Sequence, residues 1–274
     1  IVPVKGDPWT VTSEHVLSLR CNAGATIGQI KDISVREYLE RLPYWRWTHK
    51  QFRVSVKYAS PERLPIEPYF MGVLLGDGTI RSSVGVSKGD PEIVAEVRRQ
   101  AEIWSMYVRE DYHGSSPTYY LSNGTRGEYH ANGIIRVLQS IGLHGTDCGS
   151  KFIPSQYIVA STEDRWQLLA GLLDTDGHLS GNGYDFISKS KMLADGITTL
   201  ARSLGLAAYM TPAEKFCQTG GGGTYYRVSI SGHTNLVPCR IPRKIASPRE
   251  INKNPLHTGF SVEEDDPYGE YRGF

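Results

Sequence analysis

The sequence predicts an α+β protein built around a duplicated unit, and three observations predict it. Phe70-Met71-Gly72-Val73-Leu74-Leu75-Gly76-Asp77-Gly78 and Leu169-Ala170-Gly171-Leu172-Leu173-Asp174-Thr175-Asp176-Gly177 align without gaps, their last aspartates 99 positions apart. Each is followed by a similar tripeptide, Val86-Ser87-Lys88 or Ile187-Ser188-Lys189, and then by a helical pattern. Each pattern runs into a tyrosine-rich strand candidate, Thr118–Ser122 or Thr224–Ser231, the second entered through the glycine loop 220–223. A unit of roughly ninety residues is thus repeated.

The elements follow in order. Pro68 suits the first turn of one leading helix, and Ser161-Thr162-Glu163-Asp164 resembles a capping box for the other. Gly78 and Gly177 end them, where glycine is expected to relieve a left-handed turn. The next helices are expected from Pro91 to about Val108 and from about Met192 to Tyr209. The expected domains are 1–64, an amino-terminal region; 65–160 and 161–250, the two repeats; and 251–274, a carboxy-terminal region.

An aspartate in the last turn of both leading helices faces the negative end of the helix dipole, which costs up to about 1 kcal/mol. Something positive should compensate. Gly72 and Gly76 leave one helix face bare, as Gly171 and Thr175 do on the other. Bare faces let two backbones approach closely. If the helices pair there, Asp77 and Asp176 converge with the terminal carbonyls, and such a cluster repels itself without a cation. All-oxygen ligands select a hard ion such as Mg²⁺.

Composition excludes some classes. Apolar residues make up 39% of 274 and no run approaches eighteen, so the chain can bury a core and a membrane partner is not expected. Cys21, Cys148, Cys217 and Cys239 are scattered, which argues against a zinc ribbon and fits reduced thiols and an intracellular address. The net charge is +1, yet residues 1–262 carry +5 because five acids crowd the last twelve residues. That permits a nucleic-acid partner without demanding one.

The two nonapeptides resemble the paired motifs of the LAGLIDADG homing endonucleases; Leu169–Gly177 differs from the eponymous string at two of nine positions. The likeness covers about residues 65–250. It implies a pseudo-two-fold αββαββα saddle whose two antiparallel sheets lie in the major groove of double-stranded DNA. It also implies a monomer with internal symmetry that cuts both strands at the helix junction. Asp77 and Asp176 are then the metal-binding catalytic acids, helped by the carbonyls of Gly76 and Thr175. Mg²⁺ is the implied cofactor, with Mn²⁺ as a substitute and Ca²⁺ binding without supporting cleavage. Asp174 is expected to be structural, since Leu75 replaces it in the first copy.

The family also places a lysine near the metal, shortly before a proline. Lys151-Phe152-Ile153-Pro154 fits; in Cys239-Arg240-Ile241-Pro242 a cysteine stands at that position, leaving Arg240 or Lys244 as substitutes. The basic and aromatic residues expected on DNA-facing strands are Arg81, Lys88, Arg126, Lys189, Lys191, Tyr225 and Arg227. Arginine there can read guanine bidentately, and lysine grips phosphate.

The flanks carry a second resemblance. Trp9 to Leu17 holds a T-x-x-H pattern, Thr12 and His15, that resembles the second conserved block of inteins, and Thr258-Gly259-Phe260 with Tyr271-Arg272-Gly273-Phe274 resembles the strand region before their carboxy-terminal junction. The arrangement is similar to fungal inteins of a spliceosomal protein, with an endonuclease nested in a small β-rich, Hint-like splicing domain. Splicing needs a nucleophile first and an asparagine last, where Ile1 and Phe274 stand, so a remnant unable to splice is expected. Residues 36–58 are basic and aromatic enough to help grip DNA, or to form an interdomain surface. The expected function is a site-specific, Mg²⁺-dependent DNA endonuclease encoded within an intein, nuclear if its host is eukaryotic. The alternative is a DNA-binding or maturase-like RNA-splicing helper with decayed cleavage.

Overall fold

The computed structural model describes residues 1–59, 63–113, 116–124, 132–216, 222–248, 250 and 254–265. The chain begins with β1 (Val2–Pro3), β2 (Val16–Cys21), β3 (Ile30–Ser34), α1 (Val35–Glu40), α2 (Pro43–Thr48) and β4 (His49–Phe52). There follow α3 (Pro68–Leu75), β5 (Gly78–Thr79), β6 (Val84–Val86), α4 (Pro91–Ile103), β7 (Tyr107–His113), β8 (Ser116–Ser122) and α5 (Gly133–Ser140). Then come α6 (Ser155–Ile158), α7 (Thr162–Thr175), β9 (Gly177–Ser180), β10 (Gly183–Ser188), α8 (Lys191–Ser203), β11 (Ala207–Phe216) and β12 (Gly222–Ser231). A 3₁₀ turn at Pro242–Lys244 precedes β13 (His257–Thr258) and β14 (Phe260–Ser261).

The chain divides into two compact units, Ile1–Val54 with Ile251–Phe274, and Ser55–Glu250. In the first, strands run in the order β13-β4-β2-β3, and β1 pairs separately with β14. Alternation along β2 turns Leu17 and Leu19 inward against Ile33, Val35 and Tyr38. Ser34 caps α1 in a reciprocal bond with Glu37.

In the second unit the repeat is visible as topology. One antiparallel sheet has the order β5-β6-β8-β7 and the other β9-β10-β12-β11, so equivalent strands occupy equivalent places. Val84, Val86, Tyr119 and Leu121 turn from the first sheet into the core, as Tyr184, Phe186, Val228 and Ile230 do from the second. The opposite faces are open to solvent. Residues 55–59 belong to this unit: the fully buried Arg165 donates to the carbonyl of Val56 at 2.6 Å and lies under the Tyr58 ring.

Helices α4 and α8 stop earlier than the sequence pattern suggests. Ser105 has φ 52° and Gly205 φ 83°, and the amides of Met106 and Leu206 donate back to Ala101 and Ala201 at 2.7 and 3.0 Å. This left-handed closure turns the chain into β7 and β11. The expected left-handed ends are therefore here, not at Gly78 and Gly177, neither of which has positive φ. Those two glycines are needed for space, because a Cβ would lie 2.4 Å from the Leu74 carbonyl and 2.6 Å from that of Leu173.

Between α3 and α7 the backbones touch. A Cβ on Gly72 would lie 2.4 Å from the Leu168 carbonyl oxygen, and one on Gly171 would lie 2.1 Å from that of Tyr69. Backbone cannot swing aside as a side chain can. Gly72→Ala and Gly171→Ala are each expected to cost about 1–3 kcal/mol of stability in denaturant titrations, by overpacking. Gly89→Ala, where nothing lies within 4 Å of the new Cβ, should be nearly neutral. Equal effects at all three positions would remove the packing role.

Candidate functional site

The glycine contact fixes where the helix ends arrive. Pro68 starts α3 at its first position, and the Ser161 hydroxyl starts α7 by accepting the Asp164 amide at 3.1 Å. Both helices then run to one meeting point. There a Cβ on Gly76 would lie 2.0 Å from Thr175 Oγ1 and 3.6 Å from Asp176 Oδ2. Asp77 and Asp176 face each other across this junction. Crowding by protein atoms, then the Asp77 charge and a hydrogen bond shared with Asp77, push the Asp176 carboxyl up to about 6. By area Asp176 is nonetheless an exposed residue, so the pair sits at a rim that solvent and ligands can reach.

Lysines close the helix ends. Lys151, 6% exposed, donates to the carbonyls of Leu74, Gly76 and Gly78 at 2.9, 3.0 and 2.7 Å. Lys244, 7% exposed, donates to those of Leu173, Asp174 and Thr175 at 2.9, 2.6 and 2.8 Å. Each ammonium spends its three donors on carbonyls at or just beyond a helix end, Gly78 being the first residue of β5, and meets the negative end of that helix's dipole. Burial lowers both lysines, Lys151 to about 8. Lys88 is the third cation: its Nζ lies 2.7 Å from Asp77 Oδ2 and donates to the Thr175 carbonyl at 2.8 Å.

The oxygens present suit a hard cation. Asp77 Oδ2 is buried, with the Lys88 ammonium as an ion-pair partner at 2.7 Å and no hydrogen bond to the protein. Two carboxylates and the carbonyls of Gly76 and Thr175 form an all-oxygen set. Among the described residues no group of three His, Cys, Asp or Glu side chains gathers, so water or a phosphate would complete the shell. Asp77, Asp176, Gly76 and Thr175 are therefore brought together as the sequence suggests.

Arg240 is not in this centre. Its guanidinium lies 3.4 Å from the Tyr69 ring centroid and pairs with the fully buried Glu96 at 2.7 Å. Its direction is fixed from behind, since Asp174 accepts the Arg240 amide at 2.7 Å and the Tyr69 hydroxyl at 2.8 Å. Asp174 is thus wholly engaged in structure. Lys244 supplies the second cap although it follows Pro242, whereas Lys151 precedes Pro154. Cys239 fills space beside Tyr184, and burial pushes its thiol up to about 12.

Of the residues expected on DNA-facing strands, Tyr225 and Arg227 lie on β12, with Arg227 exposed on the face away from the core. The others described do not lie on strands. Arg81 is exposed in the β5–β6 turn, Lys189 lies in the bend after β10, and Lys191 opens α8 beside Asp195 at 2.8 Å. Lys88 belongs to the acid centre, and Arg126 lies outside the described residues. The sequence reading passed over Arg109 and Tyr120, paired across β7 and β8 on the open face with the guanidinium 4.8 Å from the ring. The expected helix runs to about Val108, two residues into β7, and leaves Arg109 without an element; alternation of Tyr107, Arg109 and Asp111 is the strand's signal.

In the other unit, Thr12 and His15 bracket a turn closed by the His15 amide on the Thr12 carbonyl at 3.1 Å. Both are exposed, and His15 meets the Trp9 ring edge-on at 5.5 Å. Phe260 pairs with Pro3 in the β1–β14 ladder, while residues 271–274 lie outside the described residues.

Comparison with known proteins places these features. The chain is similar to the replicative DNA helicase DnaB of Mycobacterium intracellulare, 33% identical over 141 residues, covering 51% of this chain and 19% of that protein. It is also similar to the homothallic switching endonuclease of Saccharomyces cerevisiae, 26% identical over 233 residues, covering 74% of this chain and 39% of the relative. The chain thus spans less than two fifths of either relative's length. Among solved structures, variants of the homing endonuclease I-DmoI align over 61% of this chain and 88% of theirs, at 11% identity and a TM-score of 0.41. Residues 152–248, the stretch that supplies Asp176, Lys244 and the second sheet, match the homing endonuclease family.

Proposed function

We propose that this chain is a site-specific DNA endonuclease that hydrolyses both strands of a double-stranded target with Mg²⁺, encoded within an intein. One observation carries the reading: two motif helices, packed backbone to backbone, deliver Asp77 and Asp176 to one solvent-reached rim. The homing endonuclease match over residues 152–248 supports the activity class. The turn at Thr12–His15 and the pairing of β1 with β14 support the intein setting. The solvent-facing sides of the two sheets, with Arg109 and Tyr120 on one and Arg227 on the other, are the proposed DNA surfaces.

Asp77 and Asp176, with the carbonyls of Gly76 and Thr175, would hold Mg²⁺, which when bound activates water and steadies charge on the leaving oxygen. Lys151 and Lys244 hold the carbonyl ends in place and keep positive charge beside the scissile phosphate. Arg240 and Asp174 brace the second helix end from outside the centre. Lys244 meets the second helix end as Lys151 meets the first, so the cysteine at position 239 does not leave that end without a cation, which favours an intact enzyme over a decayed one.

Asp77→Asn or Asp176→Asn should abolish cleavage of a cognate plasmid while DNA affinity by gel shift is unchanged or slightly tighter. Full cutting by either variant, folded by circular dichroism, would refute its catalytic assignment. Lys244→Met is expected to lower the cleavage rate on the order of a hundredfold. Arg240→Met should instead mainly lower the melting temperature; the reverse pattern would return the catalytic role to Arg240.

The carboxyl pair also predicts a pH dependence. Asp176 holds its proton more tightly folded, up to about 6, than an unfolded aspartate near about 3.9. The folded state therefore binds more protons between these values, and this group's contribution to stability declines as pH rises through the window. Denaturant titrations in EDTA should show wild type losing stability relative to Asp176→Asn from about pH 4 to 6. Adding Mg²⁺ at pH 7 should restore it in wild type only. A pH-independent difference would show that neither burial nor the Asp77 charge raises the Asp176 carboxyl.

A further inference from the structure

We infer that the Lys88 ammonium is a built-in competitor for one of two cation positions at the helix junction, so that the two halves of the site hold divalent ions unequally. The inference rests on the metal-binding reading above and deepens it. Lys88 bridges Asp77 Oδ2 of one motif and the Thr175 carbonyl of the other, at 2.7 and 2.8 Å. The four oxygen donors fall into two carboxylate–carbonyl pairs, Asp77 with Thr175 and Asp176 with Gly76, each a cation position, and Lys88 occupies the first pair. An Mg²⁺ ion sits about 2.0–2.1 Å from its oxygens. Bound to Asp77 Oδ2, it would overlap an ammonium that approaches the same oxygen at 2.7 Å from the Thr175 side. The side chain must swing away before the ion can enter.

Among the described residues the second repeat shows no such cation. Lys189, the residue equivalent to Lys88, is exposed, its stem passing 4.0 Å from where a Cβ on Gly149 would lie. The carbonyls differ in the same sense. That of Thr175 accepts both Lys88 and Lys244, whereas that of Gly76 accepts Lys151. Two ammoniums on one carbonyl repel each other and any further cation, so the position between Asp77 and Thr175 is the weaker. The position between Asp176 and Gly76 is the stronger. Because Lys88 has a flexible stem and is 22% exposed, it can be displaced and is a competitor, not a permanent plug.

The test is a titration of the full chain with Mn²⁺ alone, without DNA, at pH 8 and low salt, read by electron paramagnetic resonance. Wild type should show two unequal classes of site. Lys88→Met should tighten the weaker class at least tenfold, Lys88→Gln should do the same, and Lys189→Met should change neither class. Melting in EDTA confirms that each variant is folded. If Asp77→Asn removes one class but Lys88→Met and Lys88→Gln bind as wild type does, or more weakly, the competition is refuted while the metal reading stands. If no variant binds Mn²⁺, both fall together.

Discussion

Everything at the site follows from the absence of Cβ atoms between two helices. Gly72 and Gly171 let α3 and α7 touch backbone to backbone, closer than any side chain allows. Axes this near cannot diverge within the last turn, so the two sets of free carbonyls and the two aspartates must share one small volume. Both the helix dipoles and the carboxylates are negative there. A fold that accepts this contact must therefore bring cations to it. Lys151 and Lys244 arrive from the segments closing each repeat, buried deeply enough that desolvation lowers them both. Six carbonyl acceptors offset that cost.

The two caps are alike in place and unlike in sequence. Lys151 lies three residues before Pro154, and Lys244 two residues after Pro242. What decides the role is reach: either segment passes beside a helix end, and a four-carbon stem covers the remaining distance from either side of the proline. Arg240 shows the converse. It occupies the aligned segment, yet its planar guanidinium stacks on Tyr69 and pairs with buried Glu96, a geometry that lysine's point charge would not fill. Asp174, held by two backbone amides and the Tyr69 hydroxyl, locks this segment onto α7.

Much of this was legible in the residues. Periodic glycines predicted a bare helix face, and paired Asp-Gly ends predicted convergence; neither depends on distant parts of the chain. The helix starts at Pro68 and Ser161 were readable for the same reason. The limits of α4 and α8 were not, because apolar residues continue from helix into strand and only Ser105 and Gly205 mark the break. A serine in the left-handed region gives no sequence signal. Arg240 and Lys88 were misplaced for a different reason. A motif alignment fixes position along the chain, whereas capping depends on which stem can reach a carbonyl in space. Tyr120 lay on an expected strand, but its partner Arg109 had no element, because the helix pattern overran the start of β7 and hid the strand that pairs them.

The charge at the junction clarifies how such a centre remains folded before any ligand arrives. Asp77 and Asp176 bring at most two negative charges, that of Asp176 disfavoured by burial and by its neighbour's charge. Lys88, Lys151 and Lys244 bring three positive ones, and the two helix ends contribute about half a unit of negative charge each. The junction is thus close to neutral as folded. Two of the cations are sealed against carbonyls and cannot leave without breaking the helix ends. Lys88 alone of the three is bound to a carboxylate at a partly open rim, so it is the charge that can exchange. A centre balanced in this way can admit a divalent ion by moving one flexible side chain, with the helix contact and both caps undisturbed.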